Sequence, residues 1–211
     1  MLSAFSFKLS AKKIIMVQTK NIAIIKYNAG NIRSVLFALE RLGLSAKVTD
    51  NHDEIKNASH VIFPGQGAAN STMPYLKERG LDVVMKNLTQ PFLGICLGMQ
   101  LMCRHTEEGD TDCLGIFDLG LKKFTQGKVP QIGWNKNIET KNPLFTGIPE
   151  GSFTYFVHSF YVELGKDTAA ITNYHIPFSS ALQKDNFYGV QFHPEKSSDV
   201  GEKILKNFLA L

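Results

Sequence analysis

The sequence has few cysteines, and their arrangement counts against two classes of site. There are three, at positions 96, 103 and 113, with no C-x-x-C pair and no adjacent cluster of cysteine and histidine. A disulfide framework needs cysteines in pairs, and a structural zinc site needs closely spaced ligands. We therefore expect free thiols in a reducing, cytoplasmic environment, with no metal ion and no cofactor.

Long apolar runs are also lacking, and so is a charge bias in the body of the chain. No apolar stretch approaches the length of about 20 residues that spans a bilayer, so we expect a soluble protein with no membrane partner. The net charge of +4 is matched by four lysines among residues 1–20, which contain no acidic residue. The remainder is neutral and gives no indication of nucleic-acid binding.

The first twenty residues differ from the rest. They contain serine and lysine but no arginine, so they match an organellar transit peptide poorly, and Met16 stands just before the first predicted strand. We expect residues 1–20 to be an N-terminal extension outside the core. The length of 211 residues and the 44% hydrophobic content fit one domain, which we expect over residues 21–211.

Apolar segments and amphipathic segments alternate in the first half of the chain. Strands are predicted at 22–25, 46–48, 60–63 and 91–95, with helices at 32–42, 53–57 and 73–88 between them. Strands that are apolar throughout indicate a mostly parallel central sheet with helices on both faces, an α/β doubly wound fold. From Lys122 onward the pattern becomes β-rich, with strands at 132–138, 153–163, 169–174, 180–183 and 187–192 before a closing helix at 200–209.

The sharpest local feature is a cysteine between glycines. Gly94-Ile95-Cys96-Leu97-Gly98 follows a predicted strand and opens a helix, the pattern of a nucleophile elbow with cysteine in place of serine. The N-terminus of that helix favours the thiolate form. A lone cysteine is more often a core residue, and we interpret Cys103 and Cys113 in that way.

His193 is the candidate base for this cysteine. It ends the predicted strand 187–192, and Pro194 keeps it out of helical geometry. Glu195 can turn back toward the imidazole ring, fix its tautomer and stabilise the imidazolium ion. A histidine before proline at a strand end is also common as a packing residue, so the hypothesis requires that His193 and Cys96 meet in the fold.

Acyl chemistry also needs hydrogen-bond donors for an oxyanion. Gly65 and Gln66, in the segment Pro64-Gly65-Gln66-Gly67, follow another predicted strand and are candidates through their backbone N–H groups. The alternative for this segment is an ordinary tight turn. The N–H of Leu97, directly after the nucleophile, is the natural second donor.

The elbow at Gly94–Gln100 together with His193-Pro194-Glu195 resembles the class I (triad) glutamine amidotransferases, over roughly residues 20–211. The resemblance implies a flavodoxin-like fold and a cysteine-dependent glutaminase with the triad Cys96, His193 and Glu195. Three further stretches are similar to one family of this class, the glutaminase subunits that supply ammonia in histidine biosynthesis: residues 27–31, 130–135 and 155–161.

That resemblance also implies a partner and further site residues. The partner is a (β/α)₈-barrel cyclase subunit in a heterodimer, reached by ammonia through a channel. By matching motif positions, the substrate contacts are Gln100, Ser159 and Phe160, and the residues facing the partner are Asn31, Trp134 and Lys196. Gln100 lies four residues after Cys96 and so on the same helix face. Core packing is the alternative for Trp134.

Three residues depart from the family pattern, among them Lys26, which replaces a frequent acidic residue. Gln66 stands where the oxyanion segment usually has valine, and Gln131 stands where histidine is common. Three other functions remain open at this point. They are the glutaminase of another complex, such as pyridoxal phosphate synthase, a non-catalytic scaffold subunit that keeps the fold, and a stand-alone cysteine hydrolase.

Overall fold

A computed structural model of the protein describes residues 20–28 and 32–211. Most of the expected N-terminal extension, and Asn31, therefore lie outside the described residues. The helices are α1 (Ile32–Arg41), α2 (His52–Lys56), α3 (Ala69–Glu78), α4 (Leu81–Lys86), α5 (Leu97–Met102) and α6 (Ser198–Leu209). The first strands are β1 (Ile22–Ile25), β2 (Ala46–Thr49), β3 (His60–Gly65), β4 (Phe92–Cys96), β5 (His105–Thr106), β6 (Thr111–Asp112) and β7 (Gly120–Lys123). The later strands are β8 (Gln131–Lys136), β9 (Phe153–His158), β10 (Phe160–Val162), β11 (Thr168–Tyr174), β12 (Ile176–Lys184) and β13 (Phe187–Val190).

One large sheet runs through the described part of the chain. Its strand order is β2-β1-β3-β4-β13-β12-β10-β7-β5-β6, with β11 paired to β12. The neighbours from β2 to β13 are all parallel, whereas β12 pairs antiparallel with β13, β10 and β11. Strands β8 and β9 form a separate antiparallel pair. The predicted doubly wound sheet with a β-rich C-terminal half is confirmed.

Helices cover both faces of the parallel strands. In β1, Ile22 and Ile24 join a core cluster that contains Leu39 of α1 and Phe208 of α6. The alternate positions of the same strand point into a second cluster, formed with α3, α4 and α5. Because successive strand residues face opposite sides, an entirely apolar strand needs cover on both. No helix among the described residues is long and apolar enough to cross a membrane.

Two elements that were predicted to be continuous are each divided in the structure. The single helix predicted over 73–88 is two helices, because Gly80 adopts a left-handed conformation with φ 63° between α3 and α4. The single strand predicted over 153–163 is also divided. It breaks at Ser159, so that β9 pairs with β8 while β10 joins the large sheet. This break lies beside the candidate site.

Candidate active site

Three adjacent strands end at the same edge of the sheet and bring the candidate residues together. Gly65, the last residue of β3, is paired in register with Cys96, the last residue of β4. On the other side of β4, Val190 of β13 is paired with Ile95, so His193 follows three residues beyond that strand. The carboxyl edge of a parallel sheet is where open α/β folds bind ligands.

Cys96 lies in a strained turn that raises its side chain above this edge. Its backbone has φ 55° and ψ −112°, values that a residue with a Cβ rarely adopts. The turn requires its glycines because β3 and α5 approach closely. A Cβ built on Gly98 would lie 1.8 Å from the carbonyl oxygen of Phe63, and one on Gly94 would lie 2.8 Å from the backbone nitrogen of Met99. The backbone at Cys96 therefore has the strand-to-helix turn that was expected of a nucleophile elbow.

His193 is held by contacts to both its backbone and its ring. Its N–H donates to the carbonyl of Tyr155 in β9 at 2.9 Å, and its carbonyl accepts from the hydroxyl of Ser197 at 2.7 Å. The ring Nδ1 lies 2.8 Å from Oε1 of Glu195, and both side chains are buried. Since the carboxylate can only accept here, Nδ1 carries the proton and Nε2 is left for other partners.

The electrostatic surroundings favour a charged imidazolium. Burial alone would lower the pKa of His193, but its side-chain interactions with Cys96 and Glu195 outweigh burial and raise that pKa to about 10. An ordinary histidine titrates near 6.5. The raised pKa favours the imidazolium form of His193 next to the sulfur and the buried carboxylate, as in cysteine nucleophiles paired with histidine.

The sulfur of Cys96 also has two contacts besides His193. The carbonyl oxygen of Val157 in β9 lies 3.7 Å from the sulfur and accepts a hydrogen bond from it when the thiol is neutral. From the other side, Nε2 of Gln191 donates to the sulfur at 3.6 Å. One contact comes from β9 and the other from the residue that follows β13, so the position of the sulfur depends on both segments.

A cavity of about 360 Å³ opens in front of the sulfur. Most of the predicted site residues border it, and the full lining is Gly65, Gln66, Gly67, Cys96, Leu97, Gln100, Glu108, Pro130, Val157, His158, Ser159, Phe160, His193 and Lys196. A volume of this size is typical of small-molecule sites. Glu195 is behind His193 and does not border the cavity.

The residues predicted to face a partner are found in three different situations. Lys196 is exposed at the cavity. Trp134 lies on β8 with 52% of its surface exposed, and it contacts the Tyr155 ring edge-on at a centroid distance of 6.0 Å. Core packing was therefore the wrong alternative for Trp134. Asn31 is outside the described residues, and its predicted role stays untested.

Three residues of the site were not singled out from the sequence. Glu108, after β5, borders the cavity and accepts a hydrogen bond from the N–H of Ala69 at the start of α3, at 2.7 Å. His158 borders the cavity, where burial and the nearby His193 lower its pKa to about 4. Gln191 contacts the sulfur. Glu108 and Gln191 have no distinctive local pattern, and His158 lies in the stretch 155–161 but no role was predicted for it.

Side chains of the types that bind metal ions do not cluster in the part of the chain that the structure describes. No group of three or more histidine, cysteine, aspartate or glutamate side chains is arranged there to hold an ion. His105 lies within 3.2 Å of both Asp110 and Asp112, but this is an exposed surface arrangement away from the cavity.

Comparison with known proteins gives one consistent result. The family model for glutamine amidotransferase class-I matches residues 23–211. The chain is 57% identical over 194 residues to imidazole glycerol phosphate synthase subunit HisH of Bacteroides thetaiotaomicron, covering 90% of this chain and 99% of that protein. It is 47% identical over 192 residues to the protein of the same name from Haemophilus influenzae, covering 90% and 96%.

Solved structures agree on the fold. A putative GMP synthase protein of Thermoplasma acidophilum superposes with a TM-score of 0.71 at 20% identity, covering 90% of this chain and 93% of that one. PurLQS of Thermotoga maritima gives a TM-score of 0.69 at 18% identity, covering 90% and 98%. At such identities the likeness concerns the fold alone.

Proposed function

The chain belongs to the class I glutamine amidotransferases and, within them, to the family of imidazole glycerol phosphate synthase subunit HisH, and we propose that Cys96, His193 and Glu195 are its catalytic triad. It is a glutaminase subunit that acts in histidine biosynthesis. The observation that supports the proposal for the triad is geometric: Nδ1 of His193 lies 2.8 Å from the Glu195 carboxylate, and His193 and Cys96 border the same cavity. The relatives' shared name favours this function over pyridoxal phosphate synthase.

In the first chemical step, the Cys96 thiolate attacks the side-chain carbonyl carbon of glutamine and forms a tetrahedral intermediate. The negative oxygen is stabilised by the N–H of Leu97 and by the Gly65-Gln66 segment, both of which border the cavity. Because Gly65 pairs in register with Cys96, its backbone is next to the reacting atom. The tight elbow leaves the sulfur free to approach the substrate from the cavity side.

In the second step, His193 gives its Nε2 proton to the departing nitrogen, so that ammonia leaves and a thioester to Cys96 remains. The imidazole, now neutral, takes a proton from water, which attacks the thioester and releases glutamate. Glu195 keeps Nδ1 protonated throughout and stabilises the imidazolium ion each time it forms. The proton count is restored when the thiolate and imidazolium form again.

The α-amino and α-carboxylate groups of glutamine need partners of opposite charge or backbone donors. Glu108 is the negative side chain on the cavity and suits the ammonium group. The Ser159-Phe160 backbone, at the break between β9 and β10, suits the carboxylate. Gln100 donates to the carbonyl of Phe160 at 3.1 Å and to Gln191 at 2.9 Å, so it supports this segment and has Oε1 left for the substrate.

The partner surface in this proposal is the exposed face of the β8–β9 pair. Large apolar side chains are exposed there at Ile132, Trp134 and Phe153, whereas the other face of β9 packs into the core. Exposed apolar patches of this kind mark interaction sites. Its occupant is a (β/α)₈-barrel cyclase subunit, forming a heterodimer with partner contacts that include Asn31, Trp134 and Lys196.

Strand β9 connects this face to the chemistry, because the carbonyl groups of Tyr155 and Val157 accept bonds from the His193 N–H and the Cys96 thiol. Ammonia released into water would be protonated and lose its nucleophilicity, so an enclosed passage to the cyclase is needed. The cyclase uses the ammonia to make imidazole glycerol phosphate and an aminoimidazole carboxamide ribonucleotide. Residues 21–211 form the single glutaminase domain in this assignment.

The test is a glutaminase assay on the full chain, alone and with the cyclase and its nucleotide ligand. We expect a large rise in glutamate production when both are added. A stand-alone hydrolase would be equally active without them, and a scaffold subunit would be inactive in every arm. Either result would overturn the proposal.

A further inference from the structure

Behind the Cys96 sulfur, on the side away from the cavity, lies a buried glutamine that the mechanism above does not use. Gln191 follows β13, has 0% of its surface exposed and does not border the cavity. Its backbone N–H donates to the carbonyl of Ser180 at 2.9 Å, which fixes the residue against β12. A buried amide must satisfy its donors and its acceptor within the protein.

The orientation of the Gln191 amide is determined by its neighbours. The carbonyl oxygen of Phe160 is an acceptor only, so the amide nitrogen of Gln100, not its oxygen, faces it at 3.1 Å. That same nitrogen lies 2.9 Å from the Gln191 side chain, which must therefore present its oxygen to Gln100. Consequently the nitrogen of Gln191 points at the sulfur, 3.6 Å away.

We propose that Gln191 is a positioning residue for the nucleophile: its amide N–H donates to the Cys96 sulfur and keeps it aimed at the cavity, and the chain from Phe160 through Gln100 keeps that N–H in place. Among the sulfur's contacts, the Val157 carbonyl accepts from the neutral thiol and disfavours a charged sulfur. The N–H of Gln191 acts in the opposite sense, because a donor bonds more strongly to a charged acceptor. One chain of hydrogen bonds thereby joins the nucleophile to the backbone segment that suits the substrate carboxylate.

The test measures the pH dependence of Cys96 alkylation by iodoacetamide in the full chain, with the modified peptide quantified by mass spectrometry. Gln191→Glu keeps an acceptor for Gln100 but loses the donor to the sulfur. We expect its alkylation midpoint to rise by about one to two pH units. With the cyclase present, kcat should fall about 10- to 100-fold, and KM should change less than about threefold.

Gln191→Met is the second variant, since it removes the donor without adding a buried charge and decides the question if Gln191→Glu does not fold. The matched control is Gln131→Glu, because Gln131 is also buried and bonds to His158 instead of the sulfur. Its alkylation midpoint should stay within about 0.3 pH units of the parent chain, less than a third of the effect expected of a hydrogen bond to a charged group.

Two outcomes would overturn the proposal. One is an unchanged alkylation midpoint in a folded Gln191 variant, even if turnover falls, because the residue would then act elsewhere. The other is an equal shift of the alkylation midpoint in Gln131→Glu, because any buried negative charge near the site would then cause the shift. The inference rests on the proposed function in that Cys96 is the nucleophile. Alkylation needs no turnover of glutamine, so its result is separate from a failure of the glutaminase assignment.

Discussion

The carboxylate of Glu195 accepts a hydrogen bond from Nδ1 of His193 at 2.8 Å, and both side chains are almost entirely enclosed by protein. This pairing leaves the other ring nitrogen for Cys96 and the substrate. It also supports a protonated ring, because the buried negative charge and the sulfur together raise the pKa of His193 to about 10 despite the cost of burial. The proposed chemistry depends on this proton being present at neutral pH.

Replacing Glu195 with glutamine should make His193 lose its proton more easily. The substitution keeps the shape but removes the negative charge, so the pKa of His193 falls from about 10. A positioned acid–base group contributes roughly 100- to 10,000-fold, and we expect a loss of kcat within that range. The alkaline limb of the pH–rate profile should move to lower pH. An alkaline limb that does not move would show that Glu195 does not set the charge of His193.

His158 should make the protein less stable in acid. Burial is the main cause that lowers its pKa to about 4, against 6.5 in an unfolded chain. Between these values the unfolded state binds the extra proton, so stability falls as pH falls through this window. The loss between pH 7 and pH 5 is about 2 kcal/mol for this group.

The measurement for His158 is urea unfolding at both pH values in the parent chain and in His158→Gln. Glutamine can still donate to the Phe160 carbonyl, to which Nδ1 of His158 is bonded at 2.7 Å. The variant should lose less stability on acidification than the parent by that amount. An equal loss in both chains would rule out His158 as the source. Because only the difference between pH values is compared, any constant packing change cancels.

The close approach of α5 to β3 makes Gly98 sensitive to a single methyl group. In Gly98→Ala the new Cβ would meet the backbone carbonyl of Phe63 at 1.8 Å, so the elbow must shift. We expect a loss of about 2 kcal/mol or more in the free energy of unfolding. The matched control is Gly120→Ala, where the nearest atom is the flexible Glu163 carboxylate at 3.4 Å. That variant should stay within about 0.5 kcal/mol of the parent chain. Similar stabilities for both variants would contradict the packing argument.

Trp134 should matter for binding and not for folding. Its side chain is half exposed, so Trp134→Ala removes little core packing. An aromatic anchor at the centre of an interface contributes about 2 kcal/mol or more, which corresponds to a complex at least about 30-fold weaker. Titration calorimetry with the cyclase measures this. Val83→Ala on α4, where the side chain is 57% exposed, is the control and should bind normally. Equal affinity of Trp134→Ala and the parent would place the interface elsewhere.

Much of the fold could be predicted from the sequence because it depends on local pattern. Largely apolar strands such as 22–25 and 91–95, separated by amphipathic segments, require a sheet covered on both faces, and the glycines around Cys96 require a tight turn. The two breaks were missed because each depends on tertiary context. Gly80 ends a helix whose apolar pattern continues beyond it, and Ser159 interrupts a run of β-forming residues only because β9 and β10 pair with different sheets.

The candidate site was predictable to a similar extent. Cys96 and His193 stand at strand ends with distinctive neighbours, and parallel strands bring their carboxyl ends to one edge. Gln191 could not be recognised, since its role follows from a contact to Gln100, 91 residues away in the chain. Glu108 follows a two-residue strand that has no pattern of its own.

The most direct test of the account is the glutaminase activity of Cys96→Ala in the assembled complex with the cyclase and its ligand. The variant should bind the cyclase as the parent chain does, because Cys96 is buried at the elbow and the exposed face of β8–β9 is unchanged. We predict that it produces no glutamate above the background without enzyme. Continued hydrolysis of glutamine by this variant would mean that the sulfur is not the nucleophile, and the proposed mechanism would be wrong.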